Sequence, residues 1–129
     1  MATPLFVYGT LKGRTARRRH PLLRKAKFVT GASISGELYD LGEYPGLVRR
    51  SRVAGQVRGE LFEIPEDGAA RMLRALDRYE GSEFVRRRVY VTLSNGKRRA
   101  AWAYLLRKKP PRSATRLYSG RYSLRRGAA

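Results

Sequence analysis

Cysteine is absent from this 129-residue chain, histidine occurs once as His20, and Asn95 and Gln56 are its only side-chain amides. Without cysteine there is no disulfide, no thiolate nucleophile and no thiolate-bound metal, and His20 alone cannot build a histidine metal site or a catalytic triad. Proton chemistry therefore falls to carboxylates or tyrosines, and no metal is expected. The scarcity of heat-labile amides is of the kind reported for proteins from hot environments, so a thermophilic source is the expectation. No apolar run approaches membrane-spanning length, and the N-terminus lacks the basic start and apolar stretch of a secretory leader. A cytoplasmic protein without a membrane partner is expected.

Acidic residues are also few: 10 Asp and Glu stand against 29 Lys and Arg, a formal charge of +19. That balance attracts polyanions and acidic small molecules alike, so nucleic acid must be weighed as a partner. Yet 23 of the 29 are arginine, recurring in short runs such as Arg17-Arg18-Arg19, Arg49-Arg50, Arg86-Arg87-Arg88 and Arg125-Arg126. The spread along the whole chain fits a composition bias better than one binding patch. On a strand, Arg86, Arg87 and Arg88 would alternate between faces. Aromatics lie near them in Tyr90, Trp102 and Tyr104, but no RNP1-type or helix-turn-helix signature appears. Nucleic acid is not favoured as a partner, and the strong like charge favours a monomer.

The length suits one domain, and no repeat or low-complexity stretch divides it. A buried strand is expected at 5–8, stopping at Gly9, then a polar connection with a short helix after Pro21. From 26 to 64 the pattern is strand-like, in pieces at 28–29, 34–41, 47–48 and 53–64, punctuated by Gly31, Gly36, Gly42, Gly46, Gly55 and Gly59. Glycines so placed fit a strongly curved sheet, which favours a small barrel over a sandwich. One helix is expected at about 66–79, because Ala69, Met72, Leu73 and Leu76 form a single apolar stripe. Glu66 and Asp67 would favour its positive end, and Gly81 stands where a left-handed C-terminal residue belongs. Asn95-Gly96 then marks a hairpin whose second strand returns over 99–106. The domain is taken as 1–109, with 110–129 a basic C-terminal segment that is either an added edge or a mobile tail.

Two features could carry chemistry. At Tyr8-Gly9-Thr10-Leu11, a strand ending in glycine lets the following amides turn outward as an anion cradle; the plainer alternative is that Gly9 merely ends a core strand. Glu80, at or just beyond the helix C-terminus, is a carboxylate at the negative end of a dipole. That dipole and partial burial would raise its pKa toward the range of general acid and base work, unless Arg78, Arg86 or Arg87 pairs with it. Asp77 competes for the same role but could equally be a surface partner of Arg74, and Glu83 reads as solvated.

Several segments together resemble the γ-glutamylcyclotransferase-like, or AIG2-like, family. They are Phe6-Val7-Tyr8-Gly9-Thr10-Leu11 with Gly13, Ile34-Ser35-Gly36-Glu37-Leu38-Tyr39-Asp40, Tyr44-Pro45-Gly46-Leu47, Val57-Arg58-Gly59-Glu60-Leu61-Phe62 and Leu76-Asp77-Arg78-Tyr79-Glu80-Gly81. Phe84-Val85-Arg86-Arg87 and Trp102-Ala103-Tyr104 follow in register, and Ser119-Gly120-Arg121-Tyr122 resembles the family's closing Ser-Gly-Asp-aromatic element with Arg121 in the acidic position. The resemblance implies an α+β fold, a small, mostly antiparallel β-barrel with one main helix, and no cofactor. It implies a small γ-glutamyl substrate whose α-carboxylate is held by Tyr8, Gly9, Thr10 and Leu11, with Tyr104 beside it and Glu80 as acid and base. The implied reaction is intramolecular aminolysis releasing 5-oxoproline and an amine. The leaving amine is left open among a γ-glutamyl amino acid, a γ-glutamyl-amine such as an ε-lysine isopeptide, and a tagged metabolite. The alternative is a basic, non-catalytic binding module on the same fold that contacts RNA or another polyanion.

Overall fold

In the structure, a computed structural model describing residues 1–9, 11–13, 20–49 and 55–122, the first apolar run forms β1, Thr3–Val7. It is followed by β2 (Lys27–Asp40), β3 (Pro45–Arg49), β4 (Gln56–Ile64), α1 (Ala69–Glu80), β5 (Phe84–Leu93), β6 (Arg98–Leu106) and β7 (Thr115–Arg116). Thr10, the Arg17-Arg18-Arg19 and Arg125-Arg126 runs, Arg50 and the start of the expected 53–64 strand fall outside the described residues.

Strand order runs β2-β4-β1-β6-β5, and β5 returns to pair with β2, closing a five-stranded barrel. All of its pairings are antiparallel except β1 with β6, which is parallel. This is the expected α+β class, a mostly antiparallel barrel with one main helix. β2 is where the structure departs from the sequence reading. The expected pieces at 28–29 and 34–41 are one 14-residue strand, with an irregularity between Phe28 and Thr30. Its length lets it pair with β4 and β5 inside the barrel and with β3 and β7 beyond it. Gly59 explains how tightly the wall is drawn, because a Cβ there would lie 2.2 Å from the Val7 carbonyl oxygen.

Alternation along the strands divides the core in two. Phe6, Ile34, Leu38, Val57, Leu61, Val89, Val91, Ala101 and Ala103 pack together as the barrel filling. Leu5, Val7, Phe62, Ile64, Phe84 and Tyr104 turn the other way and meet Leu76 of α1, with Ala69, Met72 and Leu73 alongside. The apolar stripe thus docks the helix as its spacing predicts, but α1 begins at Ala69 rather than 66. Pro65 and Gly68 account for the delay: Gly68 takes φ +82 as N-cap with no side-chain cap, and the preceding turn is closed by Ala69 N–H to Glu66 carbonyl at 3.3 Å. At the other end Gly81 has φ +77 and donates to the Asp77 carbonyl at 3.1 Å, as a C-terminal glycine should.

His20 has a structural task, its ring meeting Tyr79 of α1 edge-on with centroids 5.0 Å apart. Its Nδ1 accepts from Leu22 N–H at 3.1 Å and caps the short 3₁₀ turn Pro21–Leu23. The segment after β6 also packs on the barrel as far as Tyr122. β7 pairs with Tyr39 and Asp40, Tyr122 joins the barrel filling and donates to the Glu43 carbonyl at 3.0 Å, and Arg58 N–H donates to the Gly120 carbonyl at 2.7 Å.

Candidate active site

β1 ends at Val7, and the chain turns at once, with Lys12 N–H donating to the Gly9 carbonyl at 3.1 Å. Tyr8 fixes the start of this turn. Its hydroxyl donates to the Tyr104 carbonyl on β6 at 2.6 Å and accepts from Leu47 N–H on β3 at 3.2 Å. Burial, and then the nearby negative charge of Glu80, push the Tyr8 hydroxyl far above its ordinary range, so it remains a neutral clamp. Gly9 is required by space: a Cβ would stand 2.6 Å from Pro45 Cγ. The Gly9 and Leu11 amides have no hydrogen-bond partner among the described residues, which leaves them available to an acceptor from outside.

Glu80 is the last residue of α1, and it lines the same recess as Tyr8, Gly9, Leu11 and Tyr104, together with Tyr44 and Pro45. Two elements about seventy positions apart are therefore walls of one small cavity. Thr10, expected between Gly9 and Leu11, lies outside the described residues. The recess itself holds about 30 Å³, room for one or two waters or a carboxylate-sized group. Glu80 and Tyr44 also line a wider outer cleft of about 420 Å³ with Glu43, Tyr79, Glu83 and Phe84. A carboxylate buried at one end and open at the other is placed to exchange a proton.

Two carboxylates one turn apart on α1 meet opposite fates. Burial raises the Glu80 pKa to about 7, and the carbonyl end of the helix acts in the same direction. Neither Arg78 nor Arg86 nor Arg87 pairs with it; among the described residues its carboxylate has no ion-pair or hydrogen-bond partner. Asp77 is also penalised by burial, but hydrogen bonds from Arg86 and Tyr104 outweigh this and hold its carboxyl below the usual range. Arg86 Nε reaches Asp77 Oδ1 at 2.9 Å and Tyr104 hydroxyl reaches the same oxygen at 2.6 Å. Arg74, the surface partner that spacing offers as one alternative, is not involved, because Asp77 is held by Arg86 of β5 and Tyr104 of β6. Pairs of carboxylates driven apart in this way mark a division between a proton carrier and a fixed charge.

Tyr44, Arg86 and Glu83 have parts that local sequence does not show. Arg86 lies 4.4 Å over the Trp102 ring as well as on Asp77, so it is a structural cation and not a solvated one. Tyr44 donates to Glu83, which is therefore not merely solvated as expected but holds the ring at the mouth of the cleft. Tyr44-Pro45-Gly46-Leu47 was visible as a motif, yet nothing in it said that Pro45 abuts Gly9 and Leu47 binds Tyr8.

The barrel agrees with the fold of similar proteins. The model of the family described as Gamma-glutamyl cyclotransferase, AIG2-like, matches residues 5–124, and the chain belongs to that family. Among solved structures the chain is similar to YkqA from Bacillus subtilis, with 26% identity and TM-score 0.72 over 95% of this chain and 40% of that one. It is similar to an AIG2-like protein from Mus musculus, with 26% identity and TM-score 0.67 over 85% and 80% of the two chains. YtfP from Escherichia coli matches at 30% identity and TM-score 0.61 over 92% and 95%. The chain thus spans less than half of YkqA but nearly all of YtfP. Among curated proteins no sequence matches it.

Proposed function

We propose that this protein is a cyclotransferase that releases 5-oxoproline and a free amine from a γ-glutamyl compound, with Glu80 as general acid and base. The observation that carries the reading is Glu80 itself: an unpaired carboxylate at a helix C-terminus, raised to about 7, in the recess that also holds the Tyr8–Leu11 turn. Membership of the cyclotransferase family makes it the reaction to test first.

In this reading the Gly9 and Leu11 amides donate to the substrate α-carboxylate, and the glutamyl side chain bends so that its α-amine meets its own γ-carbonyl. The α-nitrogen bonds to the γ-carbon and closes a five-membered lactam, while the bond from that carbon to the leaving amine breaks. Ionised Glu80 takes the proton shed by the attacking nitrogen and returns it to the departing one, so the carboxyl ends each cycle as it began. No water or enzyme nucleophile enters the balance. Holding a flexible chain in its attacking geometry is worth up to about 7–11 kcal/mol in well-oriented intramolecular reactions. The amide cradle, the Tyr8 clamp and the Gly9–Pro45 contact would supply that orientation.

Glu80→Gln tests this directly. It should lower 5-oxoproline release from γ-glutamyl amines and amino acids by at least about 100-fold while leaving the circular dichroism spectrum unchanged; turnover near the unsubstituted rate would rule the assignment out. With Glu80 acting as base, kcat/KM should rise through about pH 7 as the carboxyl ionises, and a rate independent of pH between 5.5 and 8.5 would contradict it.

A further inference from the structure

A second cleft, of about 390 Å³, lies where β2, β4 and β5 come together at the barrel seam, away from the Glu80 recess. Lys12, Arg58 and Arg121 contribute three cations to its walls, and Glu60 is the one acid among its lining residues. Glu60 is buried and already accepts Gly13 N–H at 2.7 Å. Lys12 Nζ is anchored, donating to the Tyr122 carbonyl at 2.7 Å. The guanidinium groups of Arg58 and Arg121 have no acid, carbonyl or ring partner among the described residues. Other arginines are engaged: Arg86 is held by Asp77, Arg99 by Glu63 and Arg116 by Glu37, while Arg98 lies over Tyr90. Ser33 and Thr92, paired across the seam, add two hydroxyls that have no intramolecular partner among the described residues.

Three cations set against one engaged carboxylate leave the lining residues with a formal charge of +2, which favours an anion. A dianion with several acceptor oxygens can use more of these guanidinium, ammonium and hydroxyl donors than a single carboxylate can. Arg121 moreover stands at the position where the family resemblance places an acid, so the site is a feature of this chain. We propose that the cleft bounded by Lys12, Arg58 and Arg121 binds a phosphate group, either as the free ion or as a phosphomonoester. The proposal is independent of the cyclotransferase reading, since the cleft shares no residue with the recess.

The experiment is an amide nitrogen–proton NMR titration of the intact chain with inorganic phosphate, chloride being lowered to hold ionic strength constant. Saturable shifts concentrated at Lys12, Ser33, Arg58, Thr92 and Arg121 are expected. Arg121→Asp and, separately, Arg58→Ser should each weaken phosphate binding by roughly tenfold or more, the loss of one charge-assisted contact. Lys109→Asp changes the charge as much as Arg121→Asp does but at another cleft, and it should leave the affinity within about twofold. Shifts that never saturate, or a loss in Lys109→Asp equal to that in Arg121→Asp, would mean generic attraction by a basic surface and would overturn the site. A parallel titration with a phosphomonoester distinguishes the sources: tighter binding than phosphate assigns the site to an organic phosphate, and equal binding assigns it to the free ion.

Discussion

A buried carboxyl that keeps its proton to about pH 7 makes Glu80 an element of strain. The sign is set by its raised pKa: the contribution to stability is fully present below the ordinary carboxylate range and is lost as pH rises through about 7. Allowing for screening at the side open to the cleft, the ionised form costs about 1–2 kcal/mol. Glu80→Gln should therefore unfold at the same temperature as the natural chain near pH 4, and at a higher temperature at pH 8.5. Paired thermal melts across that range check it, and an equal offset at both ends would refute the cause. Tyr8 answers to the opposite logic, since both its hydrogen bonds are internal. Tyr8→Phe strands the Tyr104 carbonyl and the Leu47 amide in the core and should cost about 2 kcal/mol, measured by urea unfolding. If Tyr8 only clamps the turn, substrate KM should move more than kcat.

At the level of elements, the meeting of β1 and β4 is the least forgiving point. A methyl group on Gly59 would fall 2.2 Å from a backbone carbonyl, and neither strand can shift without disturbing the barrel. Gly59→Ala should cost several kcal/mol and appear as a large fall in melting temperature or in soluble yield. What could be read from the chain follows from the same distinction between local and distant causes. The α1 stripe, Gly81 at its end, the Asn95-Gly96 hairpin and the short turn after Pro21 depend on neighbours within a few positions, and each forms where the residues point. The helix start was misplaced because acids at 66 and 67 suggest a first turn, whereas Gly68 in a left-handed conformation forbids it. For Asp77 helical spacing offers Arg74 as one alternative, but its partners come from β5 and β6. That Glu80 and the Tyr8–Leu11 turn share a recess rests on pairings no local pattern contains; family resemblance supplied that part, and the Arg58–Arg121 cleft was not legible at all.

For the molecule as a whole, a charge of +19 works against compactness, since the described ion pairs engage only a minority of the basic side chains. Raising monovalent salt from 0.02 to 0.3 M, which shortens the screening length severalfold, should raise the melting temperature by several degrees; a fall would mean that the surface pairs outweigh the repulsion. The barrel also closes across a long span of chain. Tyr8 bonds a carbonyl 96 positions later, and β1 lies beside β6. During synthesis the turn that enters the recess is thus made early and joined to β6 late. A nascent chain holds Tyr8 and Gly9 long before it holds the strand that fixes them, so a truncated product ending before β6 has every residue of the turn and none of its shape. The recess in this architecture is complete only once β6 has been made.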